Sequence, residues 1–181
     1  DVVADIGAGS GYFSFRMAKL VPEGKVHAVD ISKQMLAIIR SRMAKMKVDN
    51  VVPVFSTITD VKLPPDSVDL ALIVDAYHEF DHPWEMATSI LRSLKPGGRL
   101  VLIEYRMEDP SVPIKRLHKM TQAQARKEMA VAGFEWLAVD LEHSLLNLDS
   151  AGELIRVIEL CGASPLVRLT SNDADQIKRV M

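Results

Sequence analysis

A short apolar run, Val2-Val3-Ala4, ends on Asp5-Ile6-Gly7-Ala8-Gly9-Ser10-Gly11 and passes at once into an amphipathic segment carrying Phe13, Phe15, Met17 and Leu20. Strand, glycine loop and helix in that order bring backbone N–H groups close to an anionic ligand. Glycine permits the turns and the close contact that a Cβ would block. The chain is therefore expected to be α/β, with a nucleotide-type cofactor seated on its first turn.

Spacing narrows the cofactor. A dinucleotide fingerprint needs G-x-G-x-x-G, its third glycine packing helix on strand; Gly7 and Gly9 fit, but that third position is Tyr12 and Gly11 comes one residue early. A phosphate-binding G-x-x-x-x-G-K-[ST] loop fails as well, because no lysine follows these glycines. The bland alternative is a Gly-rich turn that merely joins a strand to a helix.

The second signal is Lys25-Val26-His27-Ala28-Val29-Asp30, a buried strand closing on an acid. A carboxylate there suits two hydrogen bonds from ribose hydroxyls, which makes Asp30 the best single cofactor ligand. Its alternative role is a helix N-cap, but Ser32 is the better cap. From Ser32 to Met46, Met35, Ile38, Ile39, Arg42 or Met43, and Met46 recur at helical spacing and predict one buried face.

The alternation of strand and helix continues. Val51–Phe55, Val68–Val74 and Leu100–Ile103 read as third, fourth and fifth strands, almost uninterrupted by polar residues, which implies helices on both faces. Pro83 to Leu94 carries Ala87, Ile90, Leu91 and Leu94 on one helical face, stopped by Lys95-Pro96-Gly97-Gly98. Thr121 caps a helix running to Ala132, Gly133 ends it, and Phe134 to Leu141 reads as strand six. Ala151–Leu160 is expected to be helical. A last strand is sought at Ser144–Leu148 or Leu166–Leu169, the later one preferred.

Three of these features, D-x-G-x-G-x-G after strand one, Asp30, and Leu94-Lys95-Pro96-Gly97-Gly98-Arg99-Leu100, resemble the class I S-adenosylmethionine-dependent methyltransferases, in their small-molecule branch. The resemblance covers about residues 1–141. It implies a Rossmann-like three-layer sandwich, a mostly parallel seven-stranded sheet with one antiparallel strand and helices on both faces. It implies S-adenosylmethionine as cofactor, with Asp5, Gly7, Ala8, Gly9, Gly11 and Tyr12 around its methionine part. Ile31 takes the place of the family's residue on the adenine ring, and Asp75 is placed to meet the cofactor's amino group. Many relatives carry Gly-Asp after strand three to meet the adenine amino group; Ser56 and Thr57 stand there, so the adenine contact falls to Asp60 as nearest acid, or to Thr57.

Ligands of open α/β sheets bind at the carboxyl ends of strands, so the chemistry is expected at Asp75-Ala76-Tyr77-His78-Glu79-Phe80-Asp81-His82-Pro83. Methyl transfer is an in-line displacement that yields S-adenosylhomocysteine; the protein aligns the acceptor and, where it is an O–H or N–H, helps remove its proton. His78 is the candidate base, Glu79 its orienting group or a pocket wall, and Tyr77 a ring for the sulfonium or substrate. Packing or capping is the alternative for each. The loop from Glu104 to Pro113 is suited to contacting substrate. No Asn/Asp-Pro-Pro-aromatic segment marks amino methylation of bases.

Length and charge bound the rest. At 181 residues and 48% apolar content, a single domain spanning residues 1–181 is the economical reading, with 142–181 the least legible part. A net charge of -2 argues against a nucleic-acid surface, and Lys115-Arg116-Leu117-His118-Lys119 reads as a solvated loop. Cys161 has no second cysteine to pair with, which fits a reducing, cytoplasmic setting. No apolar run is long enough for a membrane span. The methionines read as core packing; His78 and His82 stand four apart, but Pro83 breaks the helix that would align them and no histidine pairs with Cys161, so no metal is expected. A small-molecule acceptor is the expected partner, and a homodimer is an allowed assembly. The strand begins almost at Asp1, where the resembled family has a helix that closes over the cofactor, so a fragment without that lid is expected. Two other readings share the fold: aminopropyl transfer from a decarboxylated cofactor, which wants a more acidic site, and a non-catalytic binding or scaffold module.

Overall fold

The computed structural model describes residues 1–108, 110–111, 113–140 and 164–168. In chain order the elements are β1 (Val2–Ile6), α1 (Ser14–Leu20), β2 (Lys25–Asp30), α2 (Lys33–Met46), β3 (Val51–Phe55), β4 (Val68–Val74), α3 (Pro83–Ser93), β5 (Leu94–Ile103), α4 (Gln122–Val131), β6 (Trp136–Asp140) and β7 (Ser164–Arg168). Single 3-10 turns lie at Tyr77–Glu79 and Arg116–His118. The chain divides into two compact units, Asp1–Tyr105 with Ser111–Lys119, and Arg106–Pro110 with Met120–Met181.

In the first unit five strands lie in the order β3-β2-β1-β4-β5, every pair parallel. Parallel neighbours must be joined by crossovers, and α1, α2 and α3 supply three of them. One sheet face carries Val3, Val26, Ala28 and Val51 and is closed by Phe15 and Ala18 of α1 and by Leu36 and Ile39 of α2. The opposite face, with Ala4, Ile6, Val29, Ala71 and Ile73, is buried too. Truncating Leu36 or Ile39, each fully enclosed, would leave a cavity worth about 2–5 kcal/mol.

Ser32 caps α2 as its sequence predicts, its hydroxyl accepting the Met35 N–H. The buried face of that helix is narrower than the apolar pattern implies. Leu36 and Ile39 are enclosed, whereas Met35, Ile38 and Met46 face outward. Leu20, read as part of the buried stripe of α1, is exposed for the same reason: a helix of seven residues has one turn's worth of contact with the sheet. Pro83 stands at the start of α3, where a missing N–H costs nothing.

Lys95-Pro96-Gly97-Gly98 does stop α3, but not as a loop before a strand beginning at Leu100. Strand β5 starts at Leu94, pairs it with Val68, then resumes with Arg99 opposite Leu70. The four residues form an irregularity inside the strand. Gly97 sits at φ +78, and a Cβ on Gly98 would stand 2.9 Å from the Lys95 carbonyl oxygen, so both glycines are required by shape. Lys95 Nζ closes the feature on Asp69 at 2.8 and 2.9 Å.

In the second unit Thr121 caps α4 by accepting the Gln124 N–H, as expected. Strands β6 and β7 pair parallel in a separate two-stranded sheet. Among the described residues the main sheet has five strands, all parallel, and the later candidate strand pairs parallel with β6 rather than antiparallel. Apolar strands show periodicity but not direction, which depends on the connection between them. The expected strand at Ser144–Leu148 and helix at Ala151–Leu160 lie outside the described residues.

Candidate active site

Because all five strands point the same way, their carboxyl ends put Asp5, Asp30, Phe55, Asp75 and Glu104 along one edge of the sheet. The order reverses at β1, where β2 leaves to one side and β4 to the other, and that crevice is where ligands of open sheets bind. Gly7, Gly9 and Gly11 cross it in left-handed backbone, at φ +74, +54 and +84. A Cβ on Gly7 would lie 2.6 Å from that of Ala76, so the turn after β1 presses on the turn after β4. A Cβ on Gly11 would strike the Phe15 ring at 2.8 Å, but one on Gly9 meets nothing within 4 Å. Gly9 thus presents bare backbone to open space.

The loop is tied down from β2. Gly7 and Ala8 donate their N–H groups to the Val29 carbonyl, and Gly9 donates to Asp30 Oδ2 at 2.8 Å. Asp30 Oδ1 accepts the Ser32 N–H at 2.7 Å. Each Asp30 oxygen still has a lone pair to offer. Ala8 contributes through its backbone, its methyl lying in the core. Asp5 is buried and accepts the Ser14 hydroxyl at 2.5 Å; burial pushes its carboxyl above the usual carboxylate range, against the opposing pull of that hydrogen bond.

Tyr12 and Ile31 stand out, 55% and 54% exposed, beside the glycine loop and Asp30 respectively. Phe55 and Ile58, at and after the end of β3, are exposed as well. Tyr12 is held by Arg16, whose guanidinium lies 3.6 Å from its ring centre and donates to its carbonyl. After β3, Thr57 and Asp60 close one tight turn through the Thr57 N–H and the Asp60 carbonyl. The Asp60 carboxylate turns to Lys62, whose backbone N–H chiefly holds it below the usual range, and to Arg92. Thr57 is the more open of the two expected adenine contacts.

After β4, Asp75 adopts φ +52, which an aspartate tolerates, and leaves its carboxylate exposed. The chain then folds into the 3-10 turn of Tyr77, His78 and Glu79. Tyr77 is buried, its ring edge-on to Phe80, rather than offered to a ligand. Glu79 is exposed. His78 is enclosed, its side chain 5% exposed, with both ring nitrogens engaged: Nδ1 at 2.7 Å from Glu104 Oε2 and Nε2 at 3.2 Å from His118 Nδ1. His82 is half-buried at the start of α3, without a capping bond.

Glu104 organises this corner, yet it was expected only to contact substrate in a loop. Its Oε1 accepts the N–H groups of Ala76 and Tyr77 at 3.0 and 2.6 Å while Oε2 takes the imidazole. The sequence signal for it exists: like Asp30 and Asp75, it is an acid placed directly after an apolar strand. His118, read as part of a solvated basic loop, instead lies edge-on to the His78 ring within a 3-10 turn.

Residues 1–156 match the family described as a methyltransferase domain. The ubiquinone/menaquinone biosynthesis C-methyltransferase UbiE of Pseudomonas entomophila (strain L48) is 33% identical over 105 residues, 57% of this chain and 41% of that protein. Its counterpart from Ectopseudomonas mendocina (strain ymp) is 32% identical over 133 residues, 72% of this chain and 50% of that protein. The chain spans half the length of these relatives or less. Among solved structures, a SAM-dependent methyltransferase from Aquifex aeolicus has a TM-score of 0.68 at 25% identity, covering 73% of this chain and 71% of that one. An arsenic(III) S-adenosylmethionine methyltransferase from Chlamydomonas reinhardtii shares the fold, with a TM-score of 0.63 at 23% identity over 74% of this chain and 52% of that one.

Proposed function

The chain belongs to the methyltransferase domain family, and from that premise we propose that it transfers a methyl group from S-adenosylmethionine to a small-molecule acceptor. The observation that carries this reading is the glycine loop in the β1/β4 crevice, with Gly9 facing open space and tied to Asp30. Gly7, Gly9 and Gly11 let the methionine part of the cofactor lie against backbone, and Asp30 keeps lone pairs for the ribose hydroxyls. Ile31 gives an apolar surface to adenine, with Thr57 preferred over Asp60 for its amino group. Asp75, exposed at the end of β4, suits the cofactor's ammonium; the buried Asp5 acts from behind the loop.

The acceptor is assigned to the corner after β4 and β5. Glu104 holds the proton of His78 on Nδ1, so its Nε2 carries a lone pair, which His118 Nδ1 meets at 3.2 Å and must give up to an acceptor. That lone pair, rather than Tyr77 or Glu79, is the group through which an acceptor O–H or N–H is activated. The relatives named for quinone biosynthesis support a small organic acceptor, and the net charge of -2 supports no nucleic-acid partner. Among the described residues no helix is long and apolar enough to cross a membrane. Cys161 without a partner supports a cytoplasmic setting.

Calorimetric titration of S-adenosylmethionine into the purified chain and into Asp30→Ala tests the reading. Binding that the substitution abolishes is expected; absence of binding, or binding indifferent to Asp30, would remove the cofactor claim. Binding without methyl release to any of a panel of small acceptors would leave a binding module.

A further inference from the structure

We propose that His78, His118 and Glu79 form a binding site for a divalent first-row metal ion such as Zn2+. The His78 Nε2 and His118 Nδ1 atoms stand 3.2 Å apart, and a ring nitrogen of each histidine and a Glu79 carboxylate oxygen lie within 4.8 Å of one another. Two metal–nitrogen bonds of about 2.0–2.1 Å at a tetrahedral angle put their nitrogens roughly 3.3 Å apart, so the imidazoles already hold coordinating separation. Glu79 is exposed and can swing in as third ligand. Two imidazoles and one carboxylate are a donor set for zinc and its neighbours in the first row, not for calcium or magnesium.

A hydrogen bond between the rings explains the separation alone, but the environment of the far side of His78 points further. A histidine that ligates a metal through one nitrogen commonly donates from the other to a carboxylate, which fixes ring orientation and raises ligand basicity. Glu104 does this at Nδ1, and its Oε1 is in turn pinned by two backbone N–H groups. The ligand is thus oriented, its tautomer set, and the orienting group itself immobilised. Asp75 Oδ1, 3.9 Å from Nδ1, adds a second negative charge behind the ring.

Without metal, His118 donates its Nδ1–H to His78 Nε2. Coordination replaces that hydrogen bond: the proton moves through solvent to His118 Nε2, and the rings turn so that both lone pairs converge on a cation lying off the line between the two nitrogens, so the neutral rings release no net proton. Three protein ligands leave a coordination position open, the arrangement of catalytic rather than structural zinc sites. With the ion on Nε2 the His78 ring no longer acts as the base proposed above; an acceptor oxygen, nitrogen or sulfur received at this corner would instead ligate the ion and lose its proton more readily. Metal binding itself does not rest on that reading.

Equilibrium titration of the chelator-stripped chain with Zn2+, against a chromogenic competitor, tests the site. One equivalent is expected to bind. His118→Ala and His118→Gln should each weaken it on the order of 100-fold, and Glu104→Gln about 10–100-fold through the lost orienting bond. Co2+ in place of Zn2+ should give the intense visible bands of a four-coordinate ion, lost in His118→Gln. Circular dichroism and S-adenosylmethionine affinity, unchanged in the His118 variants, separate failure of this site from failure of the cofactor reading. No stoichiometric Zn2+ binding, or binding that survives both His118 substitutions, overturns the proposal.

Discussion

The Asp30 carboxylate accepts the Gly9 backbone N–H at 2.8 Å, so the acid that ends β2 also shapes the turn that follows β1. With its other oxygen on the Ser32 N–H, it links the glycine loop to the start of α2. One side chain serves loop geometry and ligand recognition together.

Asp30→Ala should therefore fail twice. Two donors lose their acceptor, at about 1–3 kcal/mol for each that stays buried, and cofactor binding should fall below detection. Urea unfolding and calorimetry on the same preparation measure both. Wild-type affinity in a destabilised Asp30→Ala would confine Asp30 to the loop.

The glycines separate fold from binding. Gly7→Ala forces a Cβ to 2.6 Å from Ala76, adding an overpacking cost of about 1–3 kcal/mol to that of its left-handed backbone. Gly9→Ala meets no protein atom and should lose only about 1 kcal/mol, yet bind S-adenosylmethionine at least about tenfold more weakly because its methyl enters the cofactor's space. Equal losses of affinity and stability in the two variants would contradict this division.

Asp5 predicts a pH dependence. Burial raises its native pKa above 3.8, so in the window between the two values the folded chain keeps a proton that the unfolded chain has released. Its stabilising contribution is complete at low pH and is lost as pH rises through the native pKa. Asp5→Asn keeps an oxygen for the Ser14 hydroxyl and removes the ionisation, so its stability relative to wild type should rise as pH climbs from the ordinary aspartate value of 3.8 through the raised native one. Denaturant midpoints across that range check the slope; a flat difference would show that Asp5 is not paying for burial.

Glu104→Gln leaves one oxygen for three donors. The loss of charge-assisted bonds should cost about 1.5–3 kcal/mol and expose the Ala76 and Tyr77 amides to faster hydrogen exchange. Exchange at Val29 and Gly7, on the other side of the crevice, should stay closer to wild type. Uniform acceleration would mean that Glu104 supports the whole sheet rather than this corner.

Local signals were the legible ones. The glycines of the first loop, Asp30 and Ser32 all act over a few residues or through a strand end, where residue type constrains backbone directly. Of the two enclosed residues of α2 the predicted stripe holds Ile39 but not Leu36, and it adds the exposed Met35, Ile38 and Met46, because helix periodicity cannot tell which of its flanks the sheet covers. The direction of β7 depends on a connection rather than on the strand. At the site, His78 was visible by position, but its two partners were not: Glu104 and His118 are 26 and 40 residues away and meet it only once β4 and β5 are paired. Asp60 was favoured for being the nearest acid, although Lys62 and Arg92 claim it.

The irregularity at Lys95-Pro96-Gly97-Gly98 separates two kinds of phase. Upstream, α3 must bury Ile90 at intervals of 3.6 residues; downstream, β5 must alternate by two so that Glu104 emerges on the side of His78. Joined directly, a one-residue change in the helix would invert every side chain of the strand. Four residues that belong to neither rhythm let the helix vary in length while the strand keeps its register, so the corner of Glu104 and His78 is insulated from changes in the element that precedes it.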